Sequence, residues 1–260
     1  MSKINKSLVS VIVPTYNLER IVERTIRSIL NQTYSNVEVL VIDDCSTDNT
    51  VKVIKSIGDE RIVLLENNKQ LGAAYSRNRG IANARGDYIA FLDGDDIWYE
   101  TKLEEQLKFM KENDYSFSCT DYDEIDENDK SLGVYVTGPK VMKHKTFLKT
   151  NYVGCLTIMY KRDIYPDLKI PNNIYKRNDY ALWLKISEKA YCYRLKKVLS
   201  SYRINNSNSL SSGKKNRLFA YHQELFQKLY GFGGFKSWFY ALRNVVYYFY
   251  RRIRYVKKIK

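Results

Sequence analysis

The chain has 260 residues, enough for one sizeable core with an appendage, and 44% of it is apolar, as in folded globular proteins. Its net charge is +14, from 43 Lys and Arg against 29 Asp and Glu, which points to an anionic partner. Only two histidines, His144 and His222, are present, which argues against a His-rich zinc centre or a Ser-His-Asp triad. Four cysteines without a CxxC pair (Cys45, Cys119, Cys155, Cys192) read as reduced thiols of a cytoplasmic protein.

The first six residues, Met1 to Lys6, lack the apolar region of a signal peptide. No apolar run approaches the roughly 20 residues needed to span a bilayer. Leu8 to Val13 reads as a buried strand stopped by Pro14. An amphipathic helix follows, with Ile21, Val22, Thr25, Ile26, Ile29 and Leu30 on one face. Val37 to Ile42 is a second buried strand ending in Asp43-Asp44. Ser46 or Thr47 is placed to cap a helix carrying Val51, Ile54 and Ile57. Ile62 to Leu65 is a third strand, and Gly72 to Ala84 is helical. Tyr88 to Leu92 is a fourth strand and runs directly into Asp93-Gly94-Asp95-Asp96. Strands alternating with helices imply a parallel α/β sheet with right-handed crossovers, and ligands bind beyond the carboxyl ends of such strands.

Polar groups follow three of these strands: Pro14-Thr15-Tyr16-Asn17, Asp43-Asp44-Cys45-Ser46 and Asp93-Gly94-Asp95-Asp96. Three carboxylates within four residues offer hard oxygen ligands to Mg²⁺ or Mn²⁺, and a cation there can carry phosphates. An isolated Asp-Gly-Asp-Asp would read as a solvated turn. Convergence after three strands instead describes a nucleotide pocket.

Beyond residue 97 a helix is expected from about Glu100 to Lys111, then a short strand at Phe117 to Thr120. Asp121 to Asp129 reads as a solvated acidic turn, since it lacks the central glycine and closing Glu of an EF-hand. Val153 to Tyr160 is a further candidate strand. Arg177 to Leu184 opens a helix with Asp179 in its first turn, where the macrodipole also favours an acid. Trp98 and Trp183 read as packing residues, and Asp48 as a cap or turn residue.

Together, Val9 to Asn17, Ser28 to Tyr34, Glu38 to Thr50, Gly72 to Gly80, Gly86 to Trp98 and Asn178 to Trp183 resemble inverting glycosyltransferases of family 2, with the GT-A fold. The similarity covers roughly residues 7 to 210. It implies a Rossmann-like, mainly parallel sheet flanked by helices. Residues 1–97 would form the nucleotide-sugar-binding half, 98–213 the acceptor-binding half, and 214–260 a basic helical tail.

The resemblance implies that Pro14, Tyr16 and Asn17 border the nucleotide. Asp43 or Asp44 would meet the base, where a carboxylate can accept the imide N–H of uracil. Arg77 would lie near base and diphosphate, its guanidinium suited to phosphate oxygens. Asp93 to Asp95 would be the DXD element, with Asp95 the direct ligand of Mn²⁺ or Mg²⁺ and Asp93 near ribose or metal. Asp179 would be the catalytic base. Asn178 replaces the Glu that precedes this base in many relatives, removing a like charge that would tune it. Asn205, in Tyr202-Arg203-Ile204-Asn205, stands where relatives often carry His.

Residues 236–260 contain Lys236, Arg243, Arg251, Arg252, Arg254, Lys257, Lys258 and Lys260 and no acid. A helical plot places Trp238, Leu242, Val245, Phe249, Ile253 and Val256 in one apolar stripe, flanked by Tyr247, Tyr248, Tyr250 and Tyr255. Such a segment either lies in an anionic membrane surface or docks on the catalytic domain with a solvated charged face. The expected enzyme therefore moves a sugar from a UDP-sugar or related donor to a saccharide, lipid-linked at the cytoplasmic leaflet, in cell-surface polysaccharide synthesis. Two rivals are weaker. A nucleic-acid-binding protein fits the charge but leaves the carboxylates unexplained. A nucleotidyltransferase would need a glycine-rich basic loop after the first strand, which Pro14-Thr15-Tyr16-Asn17 is not.

Overall fold

A computed structural model describes residues 7–204 and 217–259. Asn205 lies outside the described residues, as do the first six residues and Lys260. β1 (Val9–Thr15), α1 (Val22–Leu30), β2 (Val37–Asp43), α2 (Thr50–Ser56), β3 (Ile62–Glu66), α3 (Ala73–Asn83) and β4 (Tyr88–Phe91) follow one another in the expected alternation. β4, β1, β2 and β3 lie side by side in that order, and each adjacent pair is parallel. Their residues are apolar on both faces because helices cover both. Val9, Val11 and Val13 pack with Val22, Ile26 and Ile29 of α1, whereas Ile12 joins Leu40, Ala74 and Ile81 on the α3 side.

β1 continues through Pro14 to Thr15 rather than stopping at the proline. Pairing with β4 ends at Ile12↔Phe91, so the missing N–H of Pro14 removes no ladder bond, while β2 pairs on to Thr15↔Asp43. The cap of α2 also differs from expectation. Asn49 occupies the N-cap position, and Ser46 and Thr47 are bonded instead to Asp43 and Asn17.

The second half begins with β5 (Ile97–Trp98) and α4 (Lys102–Glu112), followed by β6 (Phe117–Ile125), β7 (Ser131–Val136), β8 (Val141–Met142) and the short α5 (His144–Phe147). The acidic segment expected as a turn is mostly strand. β6 runs to Ile125 because Asp121 pairs with Arg194 at 2.9 Å and Asp123 accepts the Tyr99 hydroxyl at 2.7 Å, leaving only residues 126–130 to turn. The expected strand over 153–160 is instead a 3₁₀ turn, Cys155–Thr157, leading into β9 (Met159–Lys161). Thr157 closes that turn by donating to the Gly154 carbonyl at 2.7 Å, and the Trp98 indole N–H holds the Leu156 carbonyl at 2.7 Å.

β9 is antiparallel to β4 and β6, which extends the parallel half into a mixed sheet. α6 (Asn178–Ser187) packs over the α3 side, and β10 (Cys192–Arg203) runs parallel to β6. The C-terminal segment forms α7 (Leu218–Tyr230), α8 (Gly234–Tyr255) and β11 (Val256–Lys258). β11 pairs with β7, so the tail adds a strand to the central sheet.

α8 docks through a small polar face, Ser237, Ala241 and Asn244, all fully buried. Asn244 accepts from the Tyr180 hydroxyl at 3.1 Å and donates to the Leu148 carbonyl at 3.1 Å. The stripe read from the sequence mostly faces outward. Trp238, Leu242, Phe249 and Ile253 are exposed, Val245 is half-buried, and Val256 belongs to β11. The segment therefore docks on the domain as one of the two alternatives expects, through residues about a third of a turn away from the exposed apolar stripe.

Candidate functional site

The carboxyl ends of β1 and β2 are tied together by side chains. The Asn17 N–H donates to Ser46 Oγ at 2.9 Å, and Asn17 Oδ1 accepts the Thr47 N–H at 2.8 Å. Asp43 accepts both the N–H and the hydroxyl of Ser46, at 2.8 and 2.6 Å. Asp44 organises the next loop, accepting from Asn67 Nδ2 and the N–H groups of Leu71 and Gly72 at 2.7–2.8 Å. Pro14 is half-buried, Tyr16 is exposed beside it, and Asp43 and Asp44 are buried below. Asn17, Cys45 and Arg177 all hold left-handed backbone, with φ of 53°, 65° and 62°. Such conformations cost energy in non-glycine residues and cluster where geometry serves a site.

The acidic turn after β4 is held from three sides. A side chain at Gly94 would force its neighbours to shift, because a Cβ there would lie 2.7 Å from Leu18 Cδ1 and 2.9 Å from Thr15 Cγ2. Thr25 Oγ1 of α1 lies 2.9 Å from the carbonyl oxygens of both Gly94 and Asp96. Arg203, almost fully buried, donates from its backbone N–H to Asp96 Oδ1 at 2.9 Å and from Nε to the Asp95 carbonyl at 2.8 Å. Its remaining nitrogens reach the carbonyls of Asp126 and Glu127 and the carboxylate of Asp129, which also pairs with Arg24.

This scaffold divides the three carboxylates. Asp96 points inward, where burial and the charges of Asp95 and Asp93 push its carboxyl well above the usual range. Asp93 and Asp95 remain partly open. Burial and the neighbouring Asp93 raise Asp95 to about 6.

Arg77 of α3 joins the acidic turn to the start of α6. Its Nη2 donates to Asp93, its Nη1 donates to the Asn178 amide oxygen, and Cys155 Sγ lies 3.7 Å from Nη2. Burial alone would lower the guanidinium, but Asp93, the Cys155 sulfur and Asp179 outweigh it and hold Arg77 above its ordinary value. Asp179 follows Asn178 on α6 and is half-exposed. Asp93 therefore pairs with the Arg77 guanidinium, and Asp95 and Asp179 are both near enough to feel its charge. Arg203 and Cys155 were not named as site residues from the sequence. The Tyr-Arg-x-Asn element pointed toward Arg203, whereas nothing local to Gly154-Cys155 marks the thiol.

Among the described residues no group of three or more His, Cys, Asp or Glu side chains forms a complete cation cage. Asp93 and Asp95 still fit Mg²⁺ or Mn²⁺, because such ions are commonly held by one or two carboxylates with the rest from water and substrate phosphates. The raised Asp95 carboxyl fits the same use, since a cation would relieve the repulsion from Asp93.

Residues 10–168 match the family model described as glycosyl transferase family 2. The chain is 39% identical over 212 residues to the putative teichuronic acid biosynthesis glycosyltransferase TuaG of Bacillus subtilis, covering 80% of this chain and 83% of TuaG. It is 40% identical over 209 residues to WfgD of Escherichia coli, covering 80% and 81% of the two chains. WfgD is named a UDP-Glc:α-D-GlcNAc-diphosphoundecaprenol β-1,3-glucosyltransferase. The fold is similar to S. aureus TarS 1-349 in complex with UDP, with a TM-score of 0.66, 18% identity and coverage of 85% of this chain and 64% of that one. It is similar too to the mannosyltransferase PcManGT of Pyrobaculum calidifontis in complex with GDP-Man and Mn²⁺, with a TM-score of 0.65, 19% identity and coverage of 90% and 68%.

Proposed function

Because the chain belongs to glycosyl transferase family 2, we propose that this glycosyltransferase uses a UDP-sugar and glycosylates a lipid-diphosphate-linked saccharide at the cytoplasmic leaflet. The observation that carries the reading is the convergence of Asp93, Asp95 and Asp179 around Arg77 at the strand ends. The relatives' substrates agree with it, since WfgD is named for a UDP-sugar donor and a diphosphoundecaprenol acceptor.

Asp179 accepts the proton of the acceptor hydroxyl as its oxygen attacks the anomeric carbon. The bond from that carbon to the donor phosphate breaks, and the nucleoside diphosphate leaves from the opposite face. One base opposite the leaving group inverts the anomeric centre without a covalent sugar intermediate. Arg77 lies where phosphate oxygens of the donor would displace its bonds to Asp93 and Asn178. Asp93 and Asp95 would hold Mn²⁺ or Mg²⁺, which neutralises charge on the leaving diphosphate. Pro14, Tyr16 and Asn17 border the nucleoside, and Asp43 or Asp44 accepts from the base through a lone pair not used internally.

The exposed aromatic face of α8, with no acid in 236–260, supports peripheral attachment to an anionic membrane. No helix among the described residues is long and apolar enough to cross one. A transfer assay with UDP-, GDP- and dTDP-sugars, Mn²⁺ and a lipid-diphosphate-linked saccharide tests the proposal. A new glycosidic bond with inverted configuration is expected. Pyrophosphate release from a nucleoside triphosphate and a sugar phosphate would favour nucleotidyl transfer. Salt-sensitive oligonucleotide binding without donor binding would favour a nucleic-acid partner.

A further inference from the structure

α8 turns two of its arginines partly into the protein, Arg243 onto the Leu148 carbonyl and Arg251 onto the Tyr122 hydroxyl. Phe249 and Ile253 face outward, and Arg251 between them in sequence is half-buried. Its Nη2 donates to the Tyr122 hydroxyl at 3.2 Å. Its Nε is fully buried and has no hydrogen-bond partner. No carboxylate among the described residues lies within ion-pairing distance of it. Glu124 is near enough for its charge to be felt, but burial raises the Glu124 carboxyl and Arg252 competes for it. A buried guanidinium with a free N–H and an incomplete counter-charge is costly unless an anion completes it.

Tyr122 and Tyr152 lie close to Arg251, and each packs on further tyrosines. Tyr122 of β6 packs edge-on against Tyr202 at 6.0 Å between ring centres. Tyr152 meets Tyr255 at 5.7 Å, and Tyr250 touches both Tyr255 and Tyr247 at 6.4 and 6.1 Å. Tyr122 neighbours the turn that carries Cys155. A Cβ at Gly154 would lie 3.0 Å from the Tyr122 ring, and the next residue, Cys155, reaches Arg77.

We propose that Arg251 and the tyrosines around it form the acceptor subsite for the diphosphate and first sugar of the lipid-linked substrate. The inference rests on the acceptor reading above. A planar guanidinium donates two parallel N–H bonds to a phosphate, and tyrosine rings supply apolar faces for a sugar with hydroxyls for its edges. The placement also explains why attachment and recognition share one helix. With Trp238, Leu242, Phe249 and Ile253 in the lipid boundary, the inner face of α8 lies at headgroup depth, where a lipid diphosphate resides.

The test compares two soluble acceptors, so that no bilayer is needed. One is an N-acetylglucosaminyl diphosphate ester of a short alkyl alcohol, and the other is the phosphate-free alkyl N-acetylglucosaminide. Arg251→Gln is expected to raise KM for the diphosphate acceptor by about tenfold to a hundredfold, the loss of a charge-assisted hydrogen bond. KM for the phosphate-free acceptor, donor affinity and binding to anionic vesicles should stay as in the wild type. Tyr122→Phe, which removes the hydroxyl that orients Arg251, should raise the same KM by less. Equal effects on both acceptors, or none, would overturn the subsite. If the wild type glycosylates neither acceptor, the acceptor reading has failed, and titration of the alkyl diphosphate in EDTA then reads the subsite alone. Wild-type binding lost in Arg251→Gln supports it, whereas equal binding, or none by the wild type, overturns it.

Discussion

Arg77 donates from Nη1 to the Asn178 amide oxygen, joining α3 to the first residue of α6. The acceptor that does the joining is a neutral amide. Arg77 is buried and its Nε already lacks a partner, so losing the Asn178 bond leaves a second N–H unsatisfied. Asn178→Ala should destabilise the protein by about 1–3 kcal/mol. It should also lower kcat, because Asp179 on the same helical turn loses its anchor. A thermal melt unchanged from wild type would show that the bond carries no weight.

Asp179→Asn keeps the shape of the helix start and removes the proposed proton acceptor. Transfer should fall about 10²–10⁴-fold, the usual contribution of a positioned base. Donor affinity should not change, since the proposed donor contacts fall to Arg77, Asp93 and Asp95 and not to Asp179. Calorimetric titration of the UDP-sugar separates the two effects, and near-normal turnover would remove Asp179 from its role.

Asp95 is held near 6 by burial and by Asp93. A proton therefore competes with a cation at this site, and Mn²⁺-dependent donor binding should weaken as pH falls through about 6. Without metal the ionised carboxylate strains the fold, because its folded pKa lies above the unfolded 3.8. Asp95→Asn should thus raise the melting temperature of the metal-free protein, by about 2–4 °C for each kcal/mol gained. The same variant should lose the response to Mn²⁺. Differential scanning fluorimetry with Mn²⁺ or EDTA reads both outcomes, and a wild-type donor affinity insensitive to EDTA would exclude the cation.

His222 contributes to the acid sensitivity of the fold. Burial, with a smaller push from Arg177, lowers its imidazole from 6.5 to about 3. Between those values the unfolded chain binds a proton that the folded chain refuses. Stability should therefore decline as pH falls through this window, by up to about 1.4 kcal/mol per pH unit. His222→Phe should flatten this part of the curve, measured by urea unfolding across the range. A curve of unchanged slope would assign the acid sensitivity elsewhere.

The two faces of α8 should respond differently to substitution. Phe249→Ser with Ile253→Ser removes exposed apolar groups and should weaken binding to anionic vesicles by about tenfold or more while leaving the melt unchanged. Asn244→Ala should lower the melting temperature, because the Tyr180 hydroxyl and the Leu148 carbonyl each lose a partner. Deleting 236–260 would mix these effects, since it removes the docking face together with β11. Vesicle sedimentation unaffected by the double substitution would move any membrane contact elsewhere.

The parallel half of the fold was legible because its signals are local. Val9–Val13, Val37–Ile42 and Tyr88–Phe91 are largely apolar on both faces, and each leads within a few residues into polar groups. Readings failed where a distant partner overrode local character. Asp121 and Asp123 look like a solvated turn until Arg194 and Tyr99 supply their partners from far along the chain. Val153 to Tyr160 has strand composition, yet the indole of Trp98 holds the Leu156 carbonyl in a 3₁₀ turn. The apolar stripe of α8 was identified, but periodicity alone does not reveal that smaller residues one-third of a turn away would become the buried face.

By itself the sequence determined the alternation of strands and helices, the acidic run at a strand end, and the basic, aromatic character of the C-terminal segment. These follow from side-chain pattern over a few residues, which backbone geometry converts directly into faces and ends. Only the tertiary structure decided that Asp96 turns inward while Asp93 and Asp95 stay open, that Arg77 links Asp93 to Asn178, and that Arg251 meets the Tyr122 hydroxyl. Each of these depends on groups distant in sequence meeting in space, where burial and a neighbour's charge set what a side chain does.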